Sequence, residues 1–203
     1  MLRRYTSLPS LLDLLVTKEL TLLTPDSWDD KNDAFYLQQY KEKKKLKAVY
    51  AMCFTEANET YHHWRVFSGN NVGVCITFIF NTFMGYLERT PRLVHRDMTY
   101  SRMADLESNP PKVAELPFVK RSAYADEREY RVVCPDKADA LLAKRIPVGL
   151  DSIYKITLSP WLPESLHDST KTAIRSIPGC NKLKIYRTRI LDNERWKRIA
   201  QNV

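Results

Sequence analysis

Glycine is scarce in this chain, with 5 among 203 residues. No glycine-rich phosphate loop can be drawn from so few, which argues against a Rossmann dinucleotide fold and against a P-loop enzyme. Long apolar runs are missing as well. The longest, VGVCITFIF, is far too short to cross a bilayer, so no membrane partner is expected. The four cysteines, Cys53, Cys75, Cys134 and Cys180, stand far apart and lack metal-ligand spacing. Three of them lie in apolar, strand-like contexts, so buried free thiols in a reducing cytoplasm are expected. There is no internal repeat, no low-complexity stretch and no long flexible linker. A length of 203 residues then gives one domain, 1–203, with little room for a second.

What is present has an ordinary globular balance: 44% hydrophobic and 28% charged residues. Lysine and arginine number 32 against 24 acids, a net charge of +8. Such a surplus favours polyanions, chiefly nucleic acid or an anionic cofactor, and serves solubility equally well. It gathers in KEKKKLK, at 41–47, and in the C-terminal region around Lys182, Lys184, Arg187, Arg189, Arg195, Lys197 and Arg198. The N-terminus, MLRRYTSLPSLLDLLV, has the basic-then-apolar order of a signal peptide. Pro9 and Asp13 interrupt it and no small-residue cleavage site follows, so it reads as part of the fold.

Periodicity and punctuation predict the elements. Arg3 to Thr6 is a strand. Ser7 caps a helix that has Pro9 in its first turn and a stripe of Leu8, Leu11, Leu12 and Leu15. Leu20–Leu23, Val49–Phe54, Val72–Phe80, Val94–Tyr100, EREYRVV, Ser152–Leu158 and Leu183–Thr188 are expected strands. Helices are expected at 35–44, 81–89, 112–124, 136–144 and 163–176, with one or two helical turns ending near Gly69. There is no clean βαβ rhythm. The fold class is therefore α+β, a mixed or mainly antiparallel sheet with flanking helices.

The segment EREYR, 127–131, carries the sharpest chemical signal. As a strand it puts Glu127, Glu129 and Arg131 on one face, with the carboxylates roughly 7 Å apart. Close carboxylates push their pKa values apart, and Arg131 can hold one of them ionised. That arrangement suits one anion that stabilises a developing cation beside a second that moves a proton. A cross-strand ion-pair ladder explains the same residues without chemistry. His62-His63 is not a metal pair, because neighbouring side chains diverge and no acidic partner sits at ligand spacing. The acids Asp29, Asp30 and Asp33 suit a helix cap.

Several segments together resemble a large bacterial family of unknown function. They are RRYTSL, PDSWDDKNDAF, CFTE, HHWRVFSGNNVGVCITF, EREYRVV and SIYKITLSPWLPESL, in that order along nearly the whole chain. Two places depart from the family pattern. Asp30-Lys31-Asn32-Asp33-Ala34-Phe35 stands in place of Asn-Asp-Pro-Phe-Glu, and Val66-Phe67 follows the tryptophan turn in place of tyrosine-alanine. The layout is similar in turn to ADP-ribosyltransferases, especially bacterial toxins that modify DNA. Glu129, Ile146-Pro147-Val148 and SIYKITL fill the order of a glutamate strand, a proline turn and a further strand.

That resemblance implies NAD as a substrate and an ADP-ribosyltransferase-like fold. It implies Glu129 and Glu127 as the catalytic pair, the first stabilising the oxocarbenium-like ribose and the second activating an acceptor or standing by. Arg4, Tyr5, Tyr61, Trp64, Arg65 and Arg131 are the implied NAD-binding residues. Read from the residues alone, Tyr61 and Trp64, three apart on a helical turn, suit the core better than a ligand, and Arg4 suits surface charge equally well. A nucleic acid or protein would be the acceptor, and a toxin or defence effector the setting. One alternative is a non-catalytic nucleic-acid-binding module that uses the basic segments with Trp161 or Trp196. Another is a metal-dependent nuclease on Asp29, Asp33, Glu127 and Glu129.

Overall fold

Ser7 ends the first strand and starts the first helix. Its hydroxyl accepts from the Ser10 amide at 3.3 Å, and Pro9 falls where a helix needs no amide donor. The computed structural model describes residues 1–68 and 70–201, so the turn expected to end near Gly69 has its end outside the described residues. In chain order the elements are β1 (Leu2–Ser7), α1 (Leu8–Thr17), β2 (Glu19–Leu23), α2 (Lys31–Lys43), β3 (Ala48–Thr55), α3 (Tyr61–Phe67), β4 (Gly73–Phe78) and α4 (Phe80–Glu88). Then follow β5 (Val94–Asp97), β6 (Thr99–Ser101), α5 (Met103–Ser108), β7 (Val119–Arg121), β8 (Glu129–Asp136) and β9 (Ala143–Pro147). The last are β10 (Ile153–Leu158), α6 (Glu164–Ser176), β11 (Ile185–Arg187) and α7 (Glu194–Gln201).

The class is α+β, with a mixed, mostly antiparallel sheet. β3 is its branch point. Along one edge β3 pairs antiparallel with β8 over its whole length, from Ala48 opposite Asp136 to Thr55 opposite Glu129. Its other edge is shared, with β2 meeting it at Ala51 and β1 meeting it at Thr55. Two arms lead away, one through β1, β4, β10 and β11 and the other through β2 and β9. β5 covers the outer edge of β8. A small parallel pair, β6 with β7, stands apart from this sheet.

The arms are held by one large apolar core. Leu2, Leu11, Leu15, Phe54, Ile76, Phe78 and Phe83 are buried in it. Phe78 stacks on Phe83 at 4.5 Å, and Phe54 meets Phe78 edge-on at 5.8 Å. Each such burial contributes about 1.5–3 kcal/mol relative to exposure. A second cluster, with Leu37, Tyr40, Val49, Ala51, Phe118 and Val133, fastens α2 to the other face of β3 and β8.

Four expectations are corrected. In α1, Leu14 lies in the core and Leu12 faces solvent. Residues 112–124 form no α-helix. Pro117 allows only a 3-10 segment at Val113–Phe118, followed by β7 and a second 3-10 segment at Ser122–Glu127. Residues 136–144 form none either, because the Asp136 carboxylate takes the amides of Ala138 and Asp139 and turns the chain into β9. Val94–Tyr100 is two strands that diverge at Met98, one joining β8 and the other β7. The Asp30 cap is as expected: its carboxylate accepts from Asn32 and Asp33 amides and starts α2 at Lys31.

Candidate active site

EREYR is not one strand. Arg128 takes a left-handed conformation, φ 42° and ψ 52°, so Glu127 closes the 3-10 segment while Glu129 opens β8. The backbone kink is fixed on both sides. The Thr55 hydroxyl donates to the Glu127 carbonyl, and the Arg128 carbonyl accepts from the Glu56 amide at 2.9 Å. Glu129 is held at its amide, which donates to the Tyr100 hydroxyl at 2.8 Å, and at its carbonyl, which accepts from Met98 at 2.9 Å. The same-face expectation for Glu129 and Arg131 holds, and Glu127 reaches them from a different element.

Arg131 organises the group from below. Its side chain has no exposed surface. Nη1 and Nη2 donate to both oxygens of Asp33, at 2.7 and 2.6 Å, and Nε donates to Glu129 Oε1 at 2.6 Å. The Pro117 carbonyl takes a further bond at 3.0 Å, and the guanidinium lies 5.0 Å from the Trp28 ring centre. Lys120, from β7, closes the group from the other side. Its Nζ donates to Glu127 Oε2 at 2.5 Å and to Glu129 Oε2 at 3.1 Å, and stands 4.0 Å from Asp33. Three carboxylates therefore share two cations, an excess of one negative charge.

The two glutamates differ in proton affinity. Burial works against an ionised Glu129, yet the Arg131 guanidinium and then Lys120 outweigh it and hold its pKa down to about 2. Burial pushes the Glu127 carboxyl up, and its bond to Lys120 only partly offsets this. Glu129 is thus the fixed anion and Glu127 the group closer to taking a proton. This is the split expected of the pair.

Both line a cavity of about 560 Å³, within the range of small-molecule sites. Arg4 and Tyr5 from β1 line it too, as do Trp28, Asp33, Lys120 and Cys53. Arg4 Nη1 donates to the Cys53 carbonyl at 3.0 Å, which sets its guanidinium at the wall. Burial and then the charge of Glu129 push the Cys53 thiol up, so it is held as the neutral thiol.

The other expected NAD contacts lie elsewhere. Trp64 is fully buried in a cluster with Tyr5 and Cys75, and its indole donates to Glu59 at 2.7 Å. Tyr61 and Arg65 form a surface stack with Trp161, the guanidinium 4.3 Å from the Trp161 ring centre. None of these three lines the cavity. Arg131 does not either; it acts through Asp33 and Glu129. Two residues that do the most here carry no sequence signal for this role, although Asp33 is among the acids that suit a helix cap or a nuclease ligand. Lys120 sits in an unremarkable Val-Lys-Arg, and Asp33 contacts Arg131 across 98 positions of chain.

The carboxylates named for a metal-dependent nuclease are already engaged: Asp33, Glu127 and Glu129 by Arg131 and Lys120. No group of three or more His, Cys, Asp or Glu among the described residues has the geometry to hold a metal ion. Among the described residues no helix is long and apolar enough to cross a membrane. No protein-family model matches the chain, and no curated protein matches it.

Proposed function

We propose that this protein is an ADP-ribosyltransferase-like enzyme that uses NAD as donor, works in the cytoplasm, and belongs to the bacterial family its motifs resemble. One observation carries the reading: Glu129, ion-paired to Arg131, and Glu127 share one wall of a cavity large enough for a nucleotide. In the reaction, the bond from ribose C1′ to the nicotinamide nitrogen breaks and its electron pair leaves with nicotinamide. The ribose gains oxocarbenium character, which the fixed charge of Glu129 stabilises. A lone pair of the acceptor then bonds to C1′, and the acceptor proton passes to Glu127. In this reading Arg4, which lines the cavity, meets the diphosphate, and the ring of Trp28 or Tyr5 offers the surface for a base.

The acceptor is a nucleic acid or a protein, and the +8 charge favours nucleic acid. A toxin or defence effector is the setting this chemistry suits. The second reading, a nucleic-acid-binding module, draws support from α7. None of its residues is buried, and Trp196 is 76% exposed beside Arg195.

Labelled NAD, with DNA, RNA and protein acceptors, separates the two. Nicotinamide release and label transfer by the wild type are expected to fall at least about 100-fold in Glu129→Gln. Glu127→Gln is expected to retain release and lose transfer to the acceptor. Circular dichroism and melting temperature check that the variants fold. Wild-type protein that neither binds NAD nor releases nicotinamide, but binds nucleic acid with a steep salt dependence, sinks the transferase reading and favours the module.

A further inference from the structure

Glu127 and Glu129 belong to different elements, separated by a left-handed residue, and no backbone pairing joins them. One side chain spans the gap. Lys120 Nζ reaches Oε2 of each, at 2.5 and 3.1 Å, and its side chain is 9% exposed. The ammonium lies 4.8 Å from the Tyr124 ring centre, which fixes its approach. β7 has only three residues, held by its parallel pairing with β6, and the chain at each end of it is 3-10. The element therefore presents Lys120 to the acids and does little else for the large sheet.

We propose that Lys120 is the positioning residue that makes one site of the two glutamates, holding Glu127 against Glu129 and keeping it ionised as the acceptor base. The proposal takes its chemistry from the transferase reading but can be tested without NAD. The groups facing Glu127 are few. Lys120 comes from β7, Glu129 from β8 and Asp33 from α2. Tyr100, from β6, is close enough to feel its charge. His63 of α3 and the Thr55 hydroxyl of β3 engage only its backbone carbonyl. Lys120 is thus the one cation of these groups that meets the Glu127 carboxylate, against two further anions. Without it, burial and like charge act together and push the carboxyl further up.

Carbon-13 NMR of glutamate side-chain carboxyls reads this directly, with Glu127 assigned from the signal missing in Glu127→Gln. In Lys120→Met the Glu127 titration is expected to move up by at least about one pH unit, as loss of an adjacent opposite charge requires. In Lys120→Arg it is expected to stay near the wild-type position. If the wild type also turns over NAD, Lys120→Met loses acceptor transfer at neutral pH about 10-fold more than nicotinamide release. The acid limb of transfer moves up with the Glu127 titration, and Lys120→Arg restores both. An unmoved Glu127 titration in folded Lys120→Met overturns the proposal whatever the outcome with NAD, and a wild type without NAD turnover removes only the transferase reading. Should Lys120→Met not fold, the double variant Lys120→Met/Glu127→Gln decides, because it removes one charge of each sign. A folded double variant supports the pairing. Failure of both means that Lys120 holds the fold and not the pair, and the proposal falls.

Discussion

Arg131 has no surface, yet it answers two carboxylates that are themselves buried. Its replacement by methionine leaves Asp33 and Glu129 without their main cation. Breaking a buried pair from one side costs about 3–5 kcal/mol, so Arg131→Met is expected to lower the urea midpoint severely. Arg131→Lys keeps a charge but cannot hold both Asp33 oxygens and Glu129 from one planar fork. Each lost bond to a charged partner is worth roughly 1.5–3 kcal/mol, so this variant is also expected to be clearly destabilised. A loss near 0.5 kcal/mol for Arg131→Met, about what a surface position gives, contradicts a buried Arg131 cluster. The sequence alone brings Arg131 to Glu129, since alternate residues of a strand share a face. Asp33 lies outside that reach: a contact across 98 positions leaves no periodic mark. Trp64 is an NAD contact only by resemblance; its large apolar ring reads as core from the sequence, and beside Tyr5 and Cys75 it is core.

The kink at Arg128 decides where Glu127 goes, and it rests on a conformation that strains any residue with a Cβ. Arg128 itself is exposed, and its ion pair with Glu56 at 3.7 Å is worth little. Arg128→Gly is expected to be neutral or to stabilise by up to about 1 kcal/mol, leaving the cluster intact. Arg128→Val is expected to destabilise by more than about 1 kcal/mol, because a β-branched residue is poorly tolerated there. Thermal melts of the two variants check this, and equal effects in both leave the kink without a role. Such a break is hard to see in EREYRVV, whose composition reads as one strand from end to end. The strands VYAMCF, VGVCITFIF and SIYKITL were legible because they combine β-branched and aromatic residues with burial on both faces or one. KVAELPFVKRSAY and DKADALLAK misled for the opposite reason. Their alanines, leucines and lysines favour helix, but Pro117 and the Asp136 side chain capture the backbone locally. Strand pairing with β6 and β2 then takes the rest.

The molecule is cationic overall, with +8, but its candidate site carries one excess negative charge in a buried cluster. Acid therefore acts on the fold through this site as well as through surface repulsion. Glu129 has a pKa of about 2 in the folded chain against an ordinary 4.5. A depressed carboxylate stabilises the fold fully above its unfolded value and loses that contribution as pH falls towards the folded value. The window is pH 4.5 to about 2, and the contribution is on the order of 3 kcal/mol. Asp136, held by two amides and then Lys144, also has a pKa of about 2 against an ordinary 3.8, and works between those values. Glu127 has the opposite sign. Its pKa is raised, so its ionisation opposes folding above its folded value, and protonation relieves that as pH falls. The net expectation is a fold that is steady near neutrality and loses stability steeply below about pH 4.5. Glu129→Gln removes the largest identified source of that slope from the cluster. Urea midpoints for wild type and Glu129→Gln at pH 7, 4 and 3 make the comparison. The variant is expected to start lower, because Arg131 and Lys120 lose their shared anion, and to fall less between pH 4 and 3. Parallel pH profiles for the two proteins mean that Glu129 is not held ionised by its neighbours, and the division of labour between the two glutamates goes with it.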